Sequence, residues 1–198
     1  FALAVWDKQE RILFLTRDRM GEKPLYYSID NGLLIFGSEL KAILAHPNFK
    51  PEIDREALSL CTKFSYIPAP HSIYKNTKKL EQGSILALRG SDLSIALSKK
   101  YWDLNTQAEK YSKLKFSGSD NEAIENLEQK LLEAVKIQQI SDVPLGAFLS
   151  GGIDSSVIVA LMQKISRKPV KTFTIGFADK NYNEAGHAKA IAQHLGTE

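Results

Sequence analysis

Apolar and polar positions follow one rhythm in the first half of this chain and another in the second. From Phe1 to Phe36 short apolar runs are broken by turn residues: Phe1–Trp6, a turn at 7–10, Ile12–Thr16, Leu25–Ile29, a turn at Asp30-Asn31-Gly32, then Leu33–Phe36. Asp-Asn-Gly between apolar runs signals a hairpin, because Asn and Gly accept the positive φ that tight hairpin turns require. Strands joined so closely predict an antiparallel sheet. Ser38 is placed to cap a short helix over Glu39–Leu44, and Asp54 a second running through Phe64, with Arg55 and Glu56 in its first turn. Ser65–Ser72, with two prolines, reads as a loop. Leu80–Leu88, with Gly83 in a turn, and Ser94–Trp102 read as closing strands.

Asn105–Ser119 is polar and weakly patterned, so a domain boundary is expected there. Beyond it the rhythm becomes helical. Ser119-Asp120-Asn121-Glu122 has the spacing of a capping box, and Ile124, Leu127, Leu131, Val135 and Ile140 mark one apolar stripe. A strand from Val143 to Leu149, a small-residue loop, a helix through Ile165, a strand over Lys171–Phe177 and a helix from Ala185 to Leu195 capped by Gly196 follow. Strands alternating with helices predict a parallel α/β sheet with ligands outside the strand carboxyl ends. The expected fold class is thus an antiparallel α+β unit followed by a parallel α/β unit.

Composition narrows the function. The 198 residues allow one large domain or two small ones. A net charge of +3, from 26 Lys and Arg against 23 Asp and Glu, is dispersed without a basic block, so no nucleic-acid partner is expected. One cysteine excludes an intrachain disulfide and fits a reducing compartment; no apolar stretch is long enough to span a bilayer, which makes cytoplasm the expected location and a membrane partner unexpected. There is no internal repeat or low-complexity tract. Phe1–Trp6 reads as the middle of a strand, and Thr197-Glu198 stops where another would begin, so an internal fragment of a longer chain is expected.

The candidate chemistry lies in Leu149-Ser150-Gly151-Gly152-Ile153-Asp154-Ser155-Ser156. A strand, a tight loop and a helix start offer unpaired N–H groups and a positive dipole end to an anion. Unlike the common nucleotide triphosphate loop, this one carries no lysine after its glycines. Backbone amides and serine hydroxyls without that lysine suit a pyrophosphate leaving as one unit, which points to adenylation. Ser-Gly-Gly-Ile-Asp-Ser-Ser resembles the PP-loop of the ATP pyrophosphatases, which activate a carbonyl or carboxylate as an adenylate. A glycine turn with Ser155 capping the next helix is the plainer use of the same residues.

Other residues read as structural. Arg17 to Tyr27, at a strand junction, is expected to be a solvated charged loop. Cys61 falls inside a helix, as a small buried apolar side chain. His46, His71, His187 and His194 show no metal-ligand pairing; His187 and His194 are seven apart on one helix face, and packing or surface placement is expected for them. The tyrosines and lysines between Tyr66 and Lys79 are taken as loop packing.

Several stretches together resemble the glutamine-dependent asparagine synthetases: Phe-Ala-Leu-Ala-Val-Trp-Asp at the start, Arg17-Asp18 through Gly21 to Pro24-Leu25-Tyr26-Tyr27, Gly37-Ser38-Glu39, the loop at 150–156, and Asn183-Glu184-Ala185 through His194-Leu195-Gly196-Thr197. The resemblance implies that residues 1–105 are the latter part of an N-terminal-nucleophile glutaminase domain, 106–118 a linker, and 119–198 the opening of a PP-loop synthetase domain. The family's glutaminase nucleophile is an N-terminal cysteine whose amine can serve as base; Cys61, being internal, has no free α-amine, so the catalytic residue is expected before Phe1. The family's ATP site carries over to Leu149 and Ile175 at the ends of neighbouring strands, where their backbones can meet adenine, and to Ser150, Gly151, Gly152, Ser155 and Ser156 around the pyrophosphate. Asp154 is assigned a magnesium-linked role, with helix capping as its other use. Glu184 follows a loop that could reach the site, and spacing does not make it catalytic.

The mechanism implied is attack of the aspartate side-chain carboxylate on the α-phosphorus of ATP, giving a β-aspartyl adenylate and pyrophosphate, after which ammonia from glutamine displaces AMP. ATP and Mg2+ are the implied cofactors, aspartate, glutamine and ATP the small-molecule partners, and a homodimer is allowed. The 198-residue piece alone is expected to be inactive. The alternatives are a synthetase of the same architecture acting on another carboxylate, resembling β-lactam synthetase or a sugar-acid amidotransferase, and a non-catalytic nucleotide-binding scaffold.

Overall fold

A computed structural model of the chain describes residues 1–179 and 183–198. It divides into two units, residues 1–115 and 116–198.

In the first unit β1 (Ala2–Asp7), β2 (Ile12–Arg17), β3 (Tyr26–Asp30) and β4 (Leu33–Gly37) precede two helices, α1 (Leu40–Leu44) and α2 (Arg55–Phe64). Then come β5 (Thr77–Lys79), β6 (Ser84–Arg89), β7 (Ile95–Lys100) and α3 (Leu104–Ser112). The strands make two antiparallel sheets, ordered β1-β2-β6-β7 and β4-β3-β5. The β3–β4 hairpin turns on Asn31 and Gly32, with φ of 48° and 74°, the doubly positive turn that matches strand twist. In β2 and β6 the leucines alternate: Leu13 faces Leu88 and Leu15 faces Leu86. Leu15, Leu86 and Leu88 join Leu25 and Leu80 in the buried core, each such side chain contributing about 1.5–3 kcal/mol.

The Arg17–Tyr27 junction corrects the expectation of a solvated loop, because Arg17 and Asp18 are each only 8% exposed. Among the described residues no carboxylate pairs with the guanidinium. It donates to three backbone carbonyls instead: Nε to Lys23 at 2.8 Å, Nη1 to Leu80 at 2.7 Å and Nη2 to Gly21 at 2.6 Å. The Asp18 carboxylate accepts from the N–H groups of Met20, Glu22 and Lys23 at 2.9–3.1 Å. Burial by itself would raise this carboxyl. The Lys23 and Glu22 N–H bonds outweigh it and hold the group well below the usual carboxylate range. The two charges thus fold the loop around themselves, which a hydropathy pattern does not register.

Asp54 caps α2 as expected, accepting from Glu56 and Ala57 N–H at 2.9 and 3.2 Å. Ser38 does not cap α1. The cap position is Glu39, whose side chain makes no cap bond and pairs with Lys41. Cys61 is half-buried, not fully buried. The expected strand Leu80–Leu88 starts only at Ser84, past the turn at Gly83. The polar stretch after Asn105 is largely helical: Asp103 caps α3 by accepting from Thr106 N–H at 3.0 Å. No α3 residue is buried, although Leu104, Ala108 and Tyr111 fall at helical spacing.

The second unit holds α4 (Asp120–Gln138), β8 (Gly146–Phe148), α5 (Ile153–Ile165), β9 (Lys171–Phe173) and α6 (Ala185–Leu195). The capping box is complete, with Ser119 accepting from Glu122 N–H while the Glu122 carboxylate accepts from Ser119 N–H. Val135 is the buried residue of the expected stripe, whereas Ile140 lies beyond the end of α4 at 85% exposure. β8 and β9 pair in parallel, Gly146 with Lys171 through Phe148 with Phe173. Both are shorter than the apolar runs that predicted them; ahead of β8, Pro144 lacks an N–H for a ladder. Leu149, Val159 and Ala188 form the core beneath them. Among the described residues no helix is long and apolar enough to cross a membrane.

Candidate functional site

The chain leaves β8 at Phe148 and turns through Leu149-Ser150-Gly151-Gly152 into α5. The Leu149 side chain, 1% exposed, anchors the turn in the core. Gly151 sits at φ +89°, and Gly152 is the N-cap. Hydroxyls then brace the loop. Ser155 Oγ accepts from Ser150 N–H at 3.3 Å, lies 3.0 Å from Ser150 Oγ and donates to Gly152 O at 3.2 Å; Ser156 Oγ donates to Gly152 O at 2.7 Å. Ser155 therefore braces the turn and does not cap the helix. The N–H groups of Ile153, Asp154 and Ser155 open the helix and have no acceptor one turn back within it. Asp154, second in the helix, is exposed, and its carboxylate has no hydrogen bond or ion pair among the described residues.

The two strand ends meet beside this loop. Leu149 N–H donates to Phe173 O at 2.9 Å, and Thr174 Oγ1 donates to Leu149 O at 2.7 Å. A cavity of about 290 Å3 opens there, lined by Phe148, Leu149, Ser150, Phe173, Thr174, Ile175, Phe177 and Glu184. Its walls are apolar and its polar groups few, the usual character of a small-molecule site. Ile175 lies two residues past the end of β9, so its backbone is not used by the β8–β9 ladder. Leu149 has committed its N–H and one carbonyl lone pair, leaving the second lone pair for a ligand.

The start of α6 closes the third side. A Cβ built on Gly151 would lie 2.9 Å from His187 Cβ and 3.1 Å from Ala188 N, and one on Gly176 would lie 3.8 Å from Asn183 Oδ1 and 3.9 Å from Ala185 Cβ. Asn183 Oδ1 accepts from Ala185 N–H at 3.1 Å, so Asn183 caps this helix start while the Glu184 side chain makes no cap bond.

The structure thus brings Ile175, read from a separate strand, to Leu149 and Ser150, and it places Glu184 on the same cavity. Phe148, Phe173, Thr174 and Phe177 also line it and were missed. Three exposed aromatics clustered at parallel strand ends were the available signal. Cys61 and His46 lie in the first unit, and among the described residues no group of three or more His, Cys, Asp or Glu could hold a metal ion.

Residues 1–102 match the family model described as a glutamine amidotransferase domain, and residues 126–198 the one described as asparagine synthase. All of the chain aligns with 37% of a relative from Methanocaldococcus jannaschii at 40% identity over 203 residues. It aligns at 34% identity over 199 residues with 30% of asparagine synthetase (glutamine-hydrolyzing) 1 of Bacillus subtilis. At 31% identity over 213 residues it matches 30% of a Penicillium rubens protein named amidase chyE. The chain spans about a third of the length of these curated relatives.

Proposed function

The chain belongs to the glutamine-hydrolysing asparagine synthetase family, and from that premise we propose that its second unit binds ATP for a ligase making asparagine from aspartate and glutamine. The observation that carries the reading is the cavity at Leu149 and Ile175, whose lining includes Ser150, the first residue of the loop of braced hydroxyls that leads to the free N–H groups of α5. Adenine fits the apolar end, against the Ile175 backbone and the second lone pair of Leu149 O. The pyrophosphate end falls to Ser150, Gly151, Gly152, Ser155 and Ser156. The α5 dipole and these donors stabilise negative charge as it builds on the departing oxygens.

In the proposed reaction an aspartate carboxylate oxygen bonds to the α-phosphorus while the bond to pyrophosphate breaks, leaving the β-aspartyl adenylate. Ammonia nitrogen then bonds to the acyl carbon and AMP departs. Asp154 can take part only with a cation between its carboxylate and the phosphates, since two negative groups otherwise repel. Its free, exposed carboxylate fits Mg2+, which commonly binds through one or two carboxylates together with substrate phosphates. When bound, Mg2+ would offset charge on the leaving pyrophosphate. The first unit is the glutaminase side of the proposal, and Cys61, in the interior of α2 without a free α-amine, is not its nucleophile. A cytoplasmic setting for the whole enzyme belongs to the same proposal.

A second reading keeps the adenylation and changes the acceptor carboxylate. It is supported by the similarity to a fungal relative named as an amidase. One assay separates the two in the full-length protein: with ATP, Mg2+ and aspartate, AMP and pyrophosphate are followed with nitrogen supplied as glutamine or ammonium. Asparagine from both sources is the expected result. Asparagine from ammonium alone removes the glutaminase half of the proposal, and pyrophosphate release indifferent to aspartate moves it to the second reading.

A further inference from the structure

We propose that Glu184 is the nucleotide-selecting residue of this site, its carboxylate accepting a hydrogen bond from a ribose hydroxyl of the bound nucleotide; the inference rests on the ATP reading above. Glu184 lines the same cavity as Leu149, Ser150 and Ile175, and among the described residues it is the only charged side chain lining it. Among the described residues nothing uses that carboxylate. It makes no helix-cap bond, because Asn183 Oδ1 takes that place, and it has no hydrogen bond or ion pair among the described residues.

Its position along the ligand follows from its neighbours at the start of α6. Asn183 and Ala185, on either side, approach Gly176 at the strand end where the base is placed. His187 and Ala188, one turn on, abut Gly151 in the phosphate loop, and Ala188 N–H donates to Glu184 O at 3.0 Å. Glu184 is therefore held between the base end and the phosphate end. The part of a nucleotide that spans those ends is the ribose, and its hydroxyls are donors. An acceptor-only carboxylate complements a hydroxyl donor and is repelled by phosphate, so direct contact with the phosphates is excluded. The base is the other source of a donor, through its exocyclic amine, and the test separates it.

The test uses full-length protein, wild type and the variants Glu184→Gln and Glu184→Ala, with equilibrium binding of ATP, 2′-deoxy-ATP, 3′-deoxy-ATP and the triphosphate of purine riboside, which lacks the 6-amino group. Wild type is expected to bind ATP about tenfold more tightly than one of the two deoxy analogues, the size of one hydrogen bond to a charged acceptor. In Glu184→Ala that ratio falls to within about twofold of one, because ATP binding weakens and binding of that analogue does not. The ratio of ATP to purine riboside triphosphate stays as in wild type, and thermal unfolding of the variants matches wild type. An unchanged ATP-to-deoxy ratio overturns the assignment while leaving the ATP site standing, as does a loss confined to the 6-amino ratio. Wild type that binds no ATP overturns the ATP reading itself, and this assignment with it. Binding is read without turnover, so a protein inactive for want of its acceptor still decides the matter.

Discussion

Gly151 and His187 touch: a Cβ on the glycine would lie 2.9 Å from the histidine Cβ, with Ala188 N only 3.1 Å away. The loop that enters α5 and the first turn of α6 are therefore packed backbone to backbone. Gly151 also holds φ at +89°. Gly151→Ala accordingly meets two penalties at once, a disfavoured backbone angle and a clash with main chain that cannot swing aside. We expect a loss of about 1–3 kcal/mol in stability of the second unit. In the full-length protein we expect kcat/KM for ATP-dependent pyrophosphate release to fall by about a hundredfold or more, because the displaced helix start carries Glu184 with it. Wild-type kinetics in this variant would show that the loop does not bind the nucleotide.

Ser155 and Ser156 are adjacent hydroxyls with different expected costs. Ser155 Oγ touches Ser150 N–H, Ser150 Oγ and Gly152 O, whereas Ser156 Oγ touches Gly152 O alone. Ser155→Ala loosens the whole turn and should raise the KM for ATP by about tenfold, consistent with about 1–2 kcal/mol for hydrogen bonds lost to loop and ligand together. Ser156→Ala should cost less. Steady-state kinetics on both variants, with pyrophosphate as the readout, compares them directly, and the reverse order would contradict the bracing role given to Ser155.

Asp154→Asn tests the cation argument. The side chain is exposed and makes no hydrogen bond or ion pair among the described residues, so apart from its charge at the start of α5 little is lost, and stability should change by no more than about 1 kcal/mol. Removing the charge weakens the proposed Mg2+ bridge to the phosphates. The Mg2+ concentration giving half-maximal pyrophosphate release should rise by about tenfold or more, with ATP binding in the absence of Mg2+ unchanged or improved. An unaltered Mg2+ titration would return Asp154 to a role in the helix start alone.

Much of this architecture was legible because it rests on local chemistry. The Asn31-Gly32 turn, the Asp54 cap, the Ser119–Glu122 capping box and the Gly196 helix end are each set by two to four neighbouring residues. The contiguous loop from Leu149 to Ser156 was legible for the same reason. What escaped depends on chain segments far apart. Phe173, Thr174 and Phe177 reach the cavity only because β9 pairs in parallel with β8, and a linear apolar run cannot announce a shared rim. α3 escaped because Leu104, Ala108 and Tyr111, though at helical spacing, stand among polar residues that were read as a boundary, and none of them is buried. Arg17 and Asp18 escaped because charge was read as solvation, whereas here backbone groups do the solvating.

That last substitution of backbone for water gives a pH prediction. The Asp18 carboxyl has an ordinary value of 3.8 and is held well below it in the folded chain, where burial opposes ionisation and the Lys23 and Glu22 N–H groups more than compensate. Between the folded value and 3.8 the unfolded chain binds more protons, so stability rises with pH across that window. The contribution is complete at neutral pH and is lost as the pH falls below the ordinary carboxylate range. Asp18→Asn removes the charge and leaves an amide facing N–H donors, which should cost about 3 kcal/mol at pH 7. Below pH ~4 the gap between variant and wild type should narrow steadily as the native carboxylate protonates. Both tryptophans, Trp6 and Trp102, lie in the first unit, so their fluorescence in urea titrations from pH 7 to pH 2 follows the relevant unfolding. A gap that stays constant with pH would mean that packing of the side chain, and not its charge, holds the loop.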